Sequence, residues 1–168
     1  QEVLARTLAA ADGRPLPKKF FLARRDTRRL ENAAEIEAWL AARRFETIYA
    51  EDYPVPLQMR LFQEAEEIVA IHGAGLAPML YCGPGHGPKK LIELQPVPIM
   101  TDVYRDMATQ VGCAWIGVRG QIRPEYIKGL YDLETSFTSH VYDDFTIDPA
   151  SLELAFDLIE TEADPNPR

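Results

Sequence analysis

The sequence has few of the residues and patterns that build disulfide scaffolds, metal centres or membrane spans. Its two cysteines, Cys82 and Cys113, are too few for a disulfide framework and lack metal-ligand spacing. We expect both to be buried, free thiols in a reducing compartment. No apolar run is long enough to cross a bilayer, and no secretory signal pattern is present.

The signatures of several nucleotide-binding and hydrolytic enzymes are also missing. No Gly-x-Gly-x-x-Gly follows the first apolar run, where Arg24 and Arg25 stand instead, which disfavours NAD or FAD. The Walker pattern and the serine nucleophile elbow are absent as well. Two pairs of aspartates remain as metal candidates: Asp102 with Asp106, and Asp143 with Asp144. Carboxylates on a helix or in an acidic segment are usually surface charges, so we expect neither a metal nor a cofactor.

Positive charge is scarce overall but concentrated near the start of the chain. The formal net charge of −8 disfavours a general nucleic-acid-binding surface. Six basic residues nevertheless fall between positions 18 and 29. A basic cluster on an acidic protein favours a small anionic ligand over a polymer.

Short apolar runs alternate with amphipathic segments, which predicts an α/β fold. The predicted strands are 20–23, 45–50, 67–71, 90–94 and 113–118. The predicted helices are 2–11, 33–43, 56–65, 76–81, 99–111 and 149–159, with Asn32 and Asp148 as N-caps and Glu35 completing a capping box. Almost wholly apolar strands indicate a Rossmann-like parallel sheet with helices on both faces. We predict one domain over residues 1–162 and a disordered tail at 163–168; the segment 119–140 has no assignment.

The first candidate group is a set of arginines after the first predicted strand. Arg24 and Arg25 follow that strand directly, and Arg28 and Arg29 lie four residues further on. A guanidinium group gives paired, planar hydrogen bonds to phosphate, so arginine at a strand end suits a pyrophosphate. The alternative is a solvated basic turn, which fits Arg24 least well because a strand end leaves it little room to reach solvent.

The second candidate group is the turn His72-Gly73-Ala74-Gly75-Leu76, directly after the predicted strand 67–71. Glycines let backbone N–H groups approach a ligand closely, and a helix starting near Leu76 would point its dipole at the strand end. The usual occupant of such a place is a phosphate. His72 would donate a hydrogen bond to a phosphate oxygen or a sugar hydroxyl. The alternatives are a core histidine and a turn of purely structural use.

The third candidate is Glu93, the one charged residue in an apolar run. Burying a carboxylate without partners costs several kcal/mol, so Glu93 needs donors from the protein or from a ligand. An acidic residue accepting from ribose hydroxyls solves that problem in dinucleotide folds. The alternative is an ion pair with an arginine of the fold.

Together these segments resemble glycosyltransferase family 61. In order along residues 20–95 stand Phe-Leu-Ala-Arg-Arg (21–25), Arg29 with Asn32 and Glu35, Leu-Gln-Met-Arg-Leu-Phe (57–62), the glycine turn, and Leu-Ile-Glu-Leu (91–94). The segment Asp-Phe-Thr-Ile-Asp-Pro (144–149) is similar to bacterial members of that family.

The resemblance implies a GT-B-type enzyme of which this chain is the second, donor-binding domain, with an N-terminal acceptor domain outside the chain. The implied reaction is an inverting transfer of sugar from a nucleotide diphosphate sugar to a hydroxyl of a saccharide or glycan acceptor, in surface or capsular polysaccharide synthesis. The implied donor site consists of Arg24, Arg25, Arg29, Asn32, His72, Gly73, Ala74, Gly75, Leu76 and Glu93. Arg24 and His72 are its catalytic candidates, and the general base comes from across the cleft.

Two other functions remain open from the sequence. The chain could be a non-catalytic module that binds a nucleotide sugar, or another α/β enzyme that converged on a phosphate-binding turn. We expect a cytoplasmic location, with peripheral attachment to the inner face of a membrane as the alternative.

Overall fold

The computed structural model describes residues 7–8, 13–83, 85–122 and 140–163, and in them one five-stranded sheet. The strands are β1 (Lys19–Ala23), β2 (Glu46–Tyr49), β3 (Glu67–Ile71), β4 (Lys90–Gln95) and β5 (Ala114–Arg119). All four neighbouring pairs are parallel, and the strand order is β2-β1-β3-β4-β5. The predicted Rossmann-like α/β fold is therefore confirmed.

Helices follow the strands along the chain. The α-helices are α1 (Ala33–Ala41), α2 (Val55–Glu64), α3 (Val103–Val111) and α4 (Pro149–Ala163). Two 3₁₀ helices, Ala50–Asp52 and Ala74–Tyr81, follow the carboxyl ends of β2 and β3. No helix in the described ranges is long and apolar enough to span a membrane.

The sheet is buried on both faces because each strand is apolar on both sides. On one face, Phe21, Val69 and Ile92 pack against α1 and α4. On the other face, Leu22, Ile68 and Leu91 pack against α2, α3 and the 3₁₀ helix. Such a two-sided core is what an all-parallel sheet requires, and it holds the strand ends in fixed positions.

The order of the strands creates a crevice at one edge of the sheet. After β1 the chain crosses to β2 on one side, whereas β3, β4 and β5 add on the other side. The carboxyl ends of β1 and β3 are neighbours at the point where the order reverses. Ligands of doubly wound sheets bind at this position.

Several predicted details differ from the structure. The predicted helix at 99–111 begins only at Val103, because the Pro96–Ile99 segment forms a turn with a hydrogen bond from the Ile99 N–H to the Pro96 carbonyl. The segment at 76–81 is a 3₁₀ helix that begins at Ala74. Asp148 caps α4 as predicted, accepting a hydrogen bond from the Ala150 N–H at 3.0 Å. Most of the predicted helix 2–11, most of the segment 119–140 and residues 164–168 lie outside the described residues.

Candidate functional site

Two of the predicted site segments meet in the crevice between β1 and β3. Arg24 directly follows β1, and His72 and Gly73 directly follow β3. The guanidinium group of Arg24 lies over Gly73, so closely that a Cβ at Gly73 would overlap its Nη1 atom and lie 3.3 Å from Cζ. Glycine at position 73 is thus a steric requirement for this placement of Arg24.

Local hydrogen bonds hold the Arg24 side chain over Gly73. Its Nε donates to the Thr27 carbonyl at 2.9 Å, and its Nη2 donates to Asp26 Oδ1 at 3.2 Å. Nη1, the atom nearest Gly73, has no hydrogen-bond partner in the described part of the chain. The side chain is only 20% exposed, so this cation is held at the strand end rather than free in solvent.

Arg28 joins Arg24 at this position, and our sequence-based list of site residues omitted it. Its Nη1 would lie 3.9 Å from a Cβ at Gly73, and its backbone adopts a positive φ of 58°. Partial burial and the nearby charge of Arg24 lower the pKa of Arg28. Among the described residues, Arg28 Nε is the one buried side-chain nitrogen or oxygen without a hydrogen-bond partner. Two like charges and an unsatisfied buried donor form a site that is electrostatically complementary to an anion.

The backbone of the glycine turn adds donors beside the two arginines. No described acceptor binds the N–H groups of Gly73, Ala74 or Gly75. The N–H of Leu76 donates to the Gly73 carbonyl at 3.0 Å and its side chain is fully buried, so Leu76 supports the turn from the core. Consecutive free N–H groups of this kind form a concave anion-binding nest.

His72 and Glu93 form a buried pair beside the turn. His72 Nδ1 lies 2.5 Å from Glu93 Oε1, and Trp115 Nε1 donates to Glu93 Oε2 at 2.8 Å. Glu93 is therefore satisfied by a histidine and a tryptophan, and not by an arginine, the alternative that the sequence left open. Tyr104 of α3 packs edge-on against the His72 ring, and its pKa is raised by burial and by the Glu93 carboxylate.

The other predicted cations are engaged within the fold. Arg25 makes two 2.7 Å hydrogen bonds to the carboxylate of Asp52 and stacks 3.7 Å above the Tyr49 ring. Arg29 Nε and Nη2 donate to Asp144 Oδ2 at 3.0 and 2.6 Å. Both side chains are about half exposed and line the mouth of the site while holding loops in place.

Asn32 holds the segment that enters α4. Its Nδ2 donates to the Ile147 carbonyl at 2.8 Å, and its Oδ1 accepts from the Ile147 N–H at 3.3 Å. Nδ2 also donates to Glu35 Oε2 at 3.0 Å. Asn32 stands at the N-cap position of α1 as predicted. The predicted capping box is wrong, because the Asn32 side chain makes no capping hydrogen bond and binds Ile147, 115 residues away, instead.

A cleft of about 660 Å³ opens next to Arg24 on the α1 side of the sheet. Its cationic walls come from Arg24, Arg25 and Arg29, and Glu37 of α1 faces them. Asp144 also lines the cleft. The volume lies in the range of small-molecule binding sites.

The described residues contain neither a cluster of metal-ligating side chains nor an exposed thiol. No three His, Cys, Asp or Glu side chains in them cluster as a metal ion would require. Cys82 and Cys113 are free and buried, as predicted, and burial raises the pKa of their thiols to about 11 and about 12.

Comparison with known protein families identifies the family of this chain. The family model for glycosyltransferase 61 matches residues 3–87, about half of the chain. The chain belongs to glycosyltransferase family 61. A family of glycosyltransferases implies a sugar donor and an acceptor. No curated protein matches the chain.

The matched part of this family 61 chain contains the arginines and the glycine turn. Arg24, Arg28 and Gly73 lie inside the match, together with β1, β2 and β3. Glu93 and Trp115 lie beyond it and are joined to His72 only by the fold.

The structure divides the predicted site residues of the family 61 chain into two sets. Arg24, His72, Gly73, Ala74 and Gly75 meet at the crevice. The remaining residues lie around the crevice and make contacts within the fold: Arg25, Arg29, Asn32, Leu76 and Glu93. The one sequence signal for the missing Arg28 is its place four residues after Arg24, since its positive φ and burial depend on the folded loop.

Proposed function

We propose that this chain binds the diphosphate of a nucleotide diphosphate sugar at the glycine turn and is the donor-binding part of an inverting glycosyltransferase. The observation that carries the proposal is the convergence of Arg24 and Arg28 on Gly73. Two guanidinium groups that share one nearby carboxylate, that of Asp26, leave a net positive charge that a ligand anion would neutralise. The free N–H groups of the turn supply further donors for the same anion.

The proposed chemistry uses this site to stabilise the leaving group. An acceptor hydroxyl oxygen bonds to the anomeric carbon while the bond from that carbon to the phosphate oxygen breaks, and its electron pair leaves with the diphosphate. The proton of the hydroxyl passes to a general base on an acceptor-binding domain. Donors aimed at the diphosphate stabilise the negative charge that it gains in the transition state.

We place the nucleoside in the cleft beside Arg24. This side chain lines the cleft and also covers Gly73, so a nucleotide can extend from one to the other. Glu31 and Glu37 also line the cleft, and their carboxylates are suitable acceptors for ribose hydroxyls. The acceptor, in this proposal, is a glycan of a surface or capsular polysaccharide.

Calorimetric titration of the chain with UDP, GDP and CMP tests the proposal. We expect one nucleoside diphosphate to bind, and Arg24→Ala or Arg28→Met to weaken its binding by about 10- to 100-fold, the value of charge-assisted hydrogen bonds. Arg44→Met is the matched control, because Arg44 is an exposed arginine that also has a positive φ, 67°, but precedes β2 at the opposite edge of the sheet.

Three results would contradict the proposal. One is the absence of binding to either diphosphate by a folded chain. Another is an equal loss of affinity in Arg44→Met, which would show a nonspecific effect of net charge. The third is tight binding of CMP with no preference for a diphosphate, which would remove the role of the paired arginines.

A further inference from the structure

A buried hydrogen-bonded relay crosses three strands behind the proposed diphosphate site. Glu93 on β4 is 1% exposed, and His72 after β3 is 7% exposed. His72 Nδ1 and Trp115 Nε1 occupy the two carboxylate oxygens of Glu93, at 2.5 and 2.8 Å. Both oxygens of Glu93 therefore have partners within the fold, and burial keeps the carboxylate away from a donor hydroxyl.

Trp115 determines which oxygen of the Glu93 carboxylate is left for His72. The indole ring lies across Gly117, where a Cβ would come within 2.8 Å of the ring. Because glycine leaves that space open, the indole N–H reaches Glu93 from β5 and donates to Oε2. Oε2 must then be an acceptor, and the atom that shares a proton with His72 is Oε1.

The strand order places the free nitrogen of His72 on the side of the arginines. β4 and β1 flank β3 on opposite sides, so Glu93 and Arg24 lie on opposite sides of His72. Nδ1 faces Glu93, and Nε2 is on the other edge of the imidazole ring. The ring is fixed by Tyr104, whose centroid lies 5.2 Å away.

We propose that Glu93 is a positioning residue that acts through His72, so that His72 Nε2–H donates a hydrogen bond to the diphosphate held by Arg24 and Arg28. This inference rests on the proposed function and adds a donor to the same site. Glu93 Oε1 holds the imidazole ring at Nδ1, so that Nε2 is turned toward the diphosphate.

Glu93→Gln separates positioning from simple packing. Trp115 Nε1–H fixes the oxygen of the introduced amide toward itself, so the amide nitrogen donates to His72 Nδ1 and the ring stays in place. We expect this variant to bind UDP as tightly as wild type, whereas Glu93→Leu, which offers Nδ1 no partner, binds UDP about 10-fold more weakly.

The experiment is calorimetric titration with UDP, or GDP if GDP binds better. We expect His72→Gln to bind about 10- to 100-fold more weakly than wild type, the value of one charge-assisted hydrogen bond. The exposed His86 supplies the control, since His86→Gln should behave like wild type.

The outcomes separate this inference from the proposed function. If wild type binds neither nucleotide, the proposed function fails and this inference with it. If wild type binds but His72→Gln binds normally, or Glu93→Gln binds as weakly as Glu93→Leu, only the inference is overturned. Should Glu93→Gln fail to fold, ¹⁵N spectra of the wild-type imidazoles replace it: Nε2 of His72 must carry a proton in the UDP complex at pH 7, and an unprotonated Nε2 overturns the proposal.

Discussion

At the scale of single residues, the site depends on one absent side chain and two like charges. Gly73 has no Cβ, and the space is filled by the guanidinium group of Arg24. Arg28 then approaches the same point although the charge of Arg24 lowers its pKa. Fold stability alone does not favour such a pairing, which is why we assign it to ligand binding.

Gly73→Ala tests the steric part of this arrangement. The added Cβ would displace Arg24 from the turn, so we expect UDP affinity to fall by about 10- to 100-fold, the value of lost charge-assisted hydrogen bonds. Gly83→Ala is the control because no atom lies within 4 Å of a Cβ there. Calorimetry of both variants checks the result, and equal affinities would contradict the steric role of Gly73.

Arg28→Met tests whether the second charge is held for a ligand. Removing a partly buried cation beside Arg24 should leave the free energy of unfolding unchanged or raise it, by at most about 1 kcal/mol. The limit of about 1 kcal/mol includes loss of the contact between the guanidinium group and the Tyr142 ring, in which Cζ lies 5.4 Å from the ring centroid. Urea unfolding measures the effect, and a loss of more than about 1 kcal/mol would mean that Arg28 holds the fold together.

The sequence was sufficient for part of the site and insufficient for the rest. Arg24 and the glycine turn could be found because each directly follows an apolar strand. The partners of Glu93 could not, because His72 and Trp115 reach it from β3 and β5 only when the strands are ordered. Arg28 was named in the basic turn but left out of the donor-site residues, because its place near Gly73 depends on its own left-handed backbone in a loop.

At the scale of elements, side chains after β1 fix the loops around the crevice. Arg25 binds Asp52 in the 3₁₀ helix after β2, while Arg29 and Asn32 bind the segment before α4. The strands were predicted closely because apolar runs define them; 67–71 is identical to β3. The capping of α1 was predicted wrongly because the partner of Asn32 lies 115 residues away in sequence.

Asn32→Ala should weaken the attachment of the segment before α4. The Ile147 N–H and carbonyl would lose their partners, so we expect a loss of about 1–3 kcal/mol in the free energy of unfolding. Urea denaturation gives this value. If Asn32 instead binds the donor, as the family resemblance implies, stability will be unchanged and only UDP affinity will fall.

The Arg25–Asp52 pair should contribute to stability only above the pH at which Asp52 titrates. Hydrogen bonds from Arg25 lower the pKa of Asp52 from 3.8, so this contribution is present above about pH 4 and is lost as pH falls below it. We expect Asp52→Asn to lose less unfolding free energy than wild type between pH 5 and pH 3. Arg25→Met should show the same flattened profile, and different profiles for the two variants would contradict the pairing.

At the scale of the whole molecule, the sheet order gathers the site. The reversal between β1 and β3 brings together two segments separated by 48 positions, Arg24 and His72, at one strand edge. The alternation of strands and helices predicts the parallel sheet, but the sequence pattern does not specify which strands are neighbours. That order places Arg24 and the glycine turn side by side at the crevice, where we propose that the phosphates bind.

The most direct test of the central claim is to record the backbone amide chemical shifts of the chain during titration with UDP and GDP. If the diphosphate binds at the crevice, the largest shifts will occur at the N–H groups of Gly73, Ala74 and Gly75, and they will disappear in Arg24→Ala. Saturable binding with its largest shifts elsewhere, or no shift with either nucleotide, would contradict the assignment of this turn as the donor site.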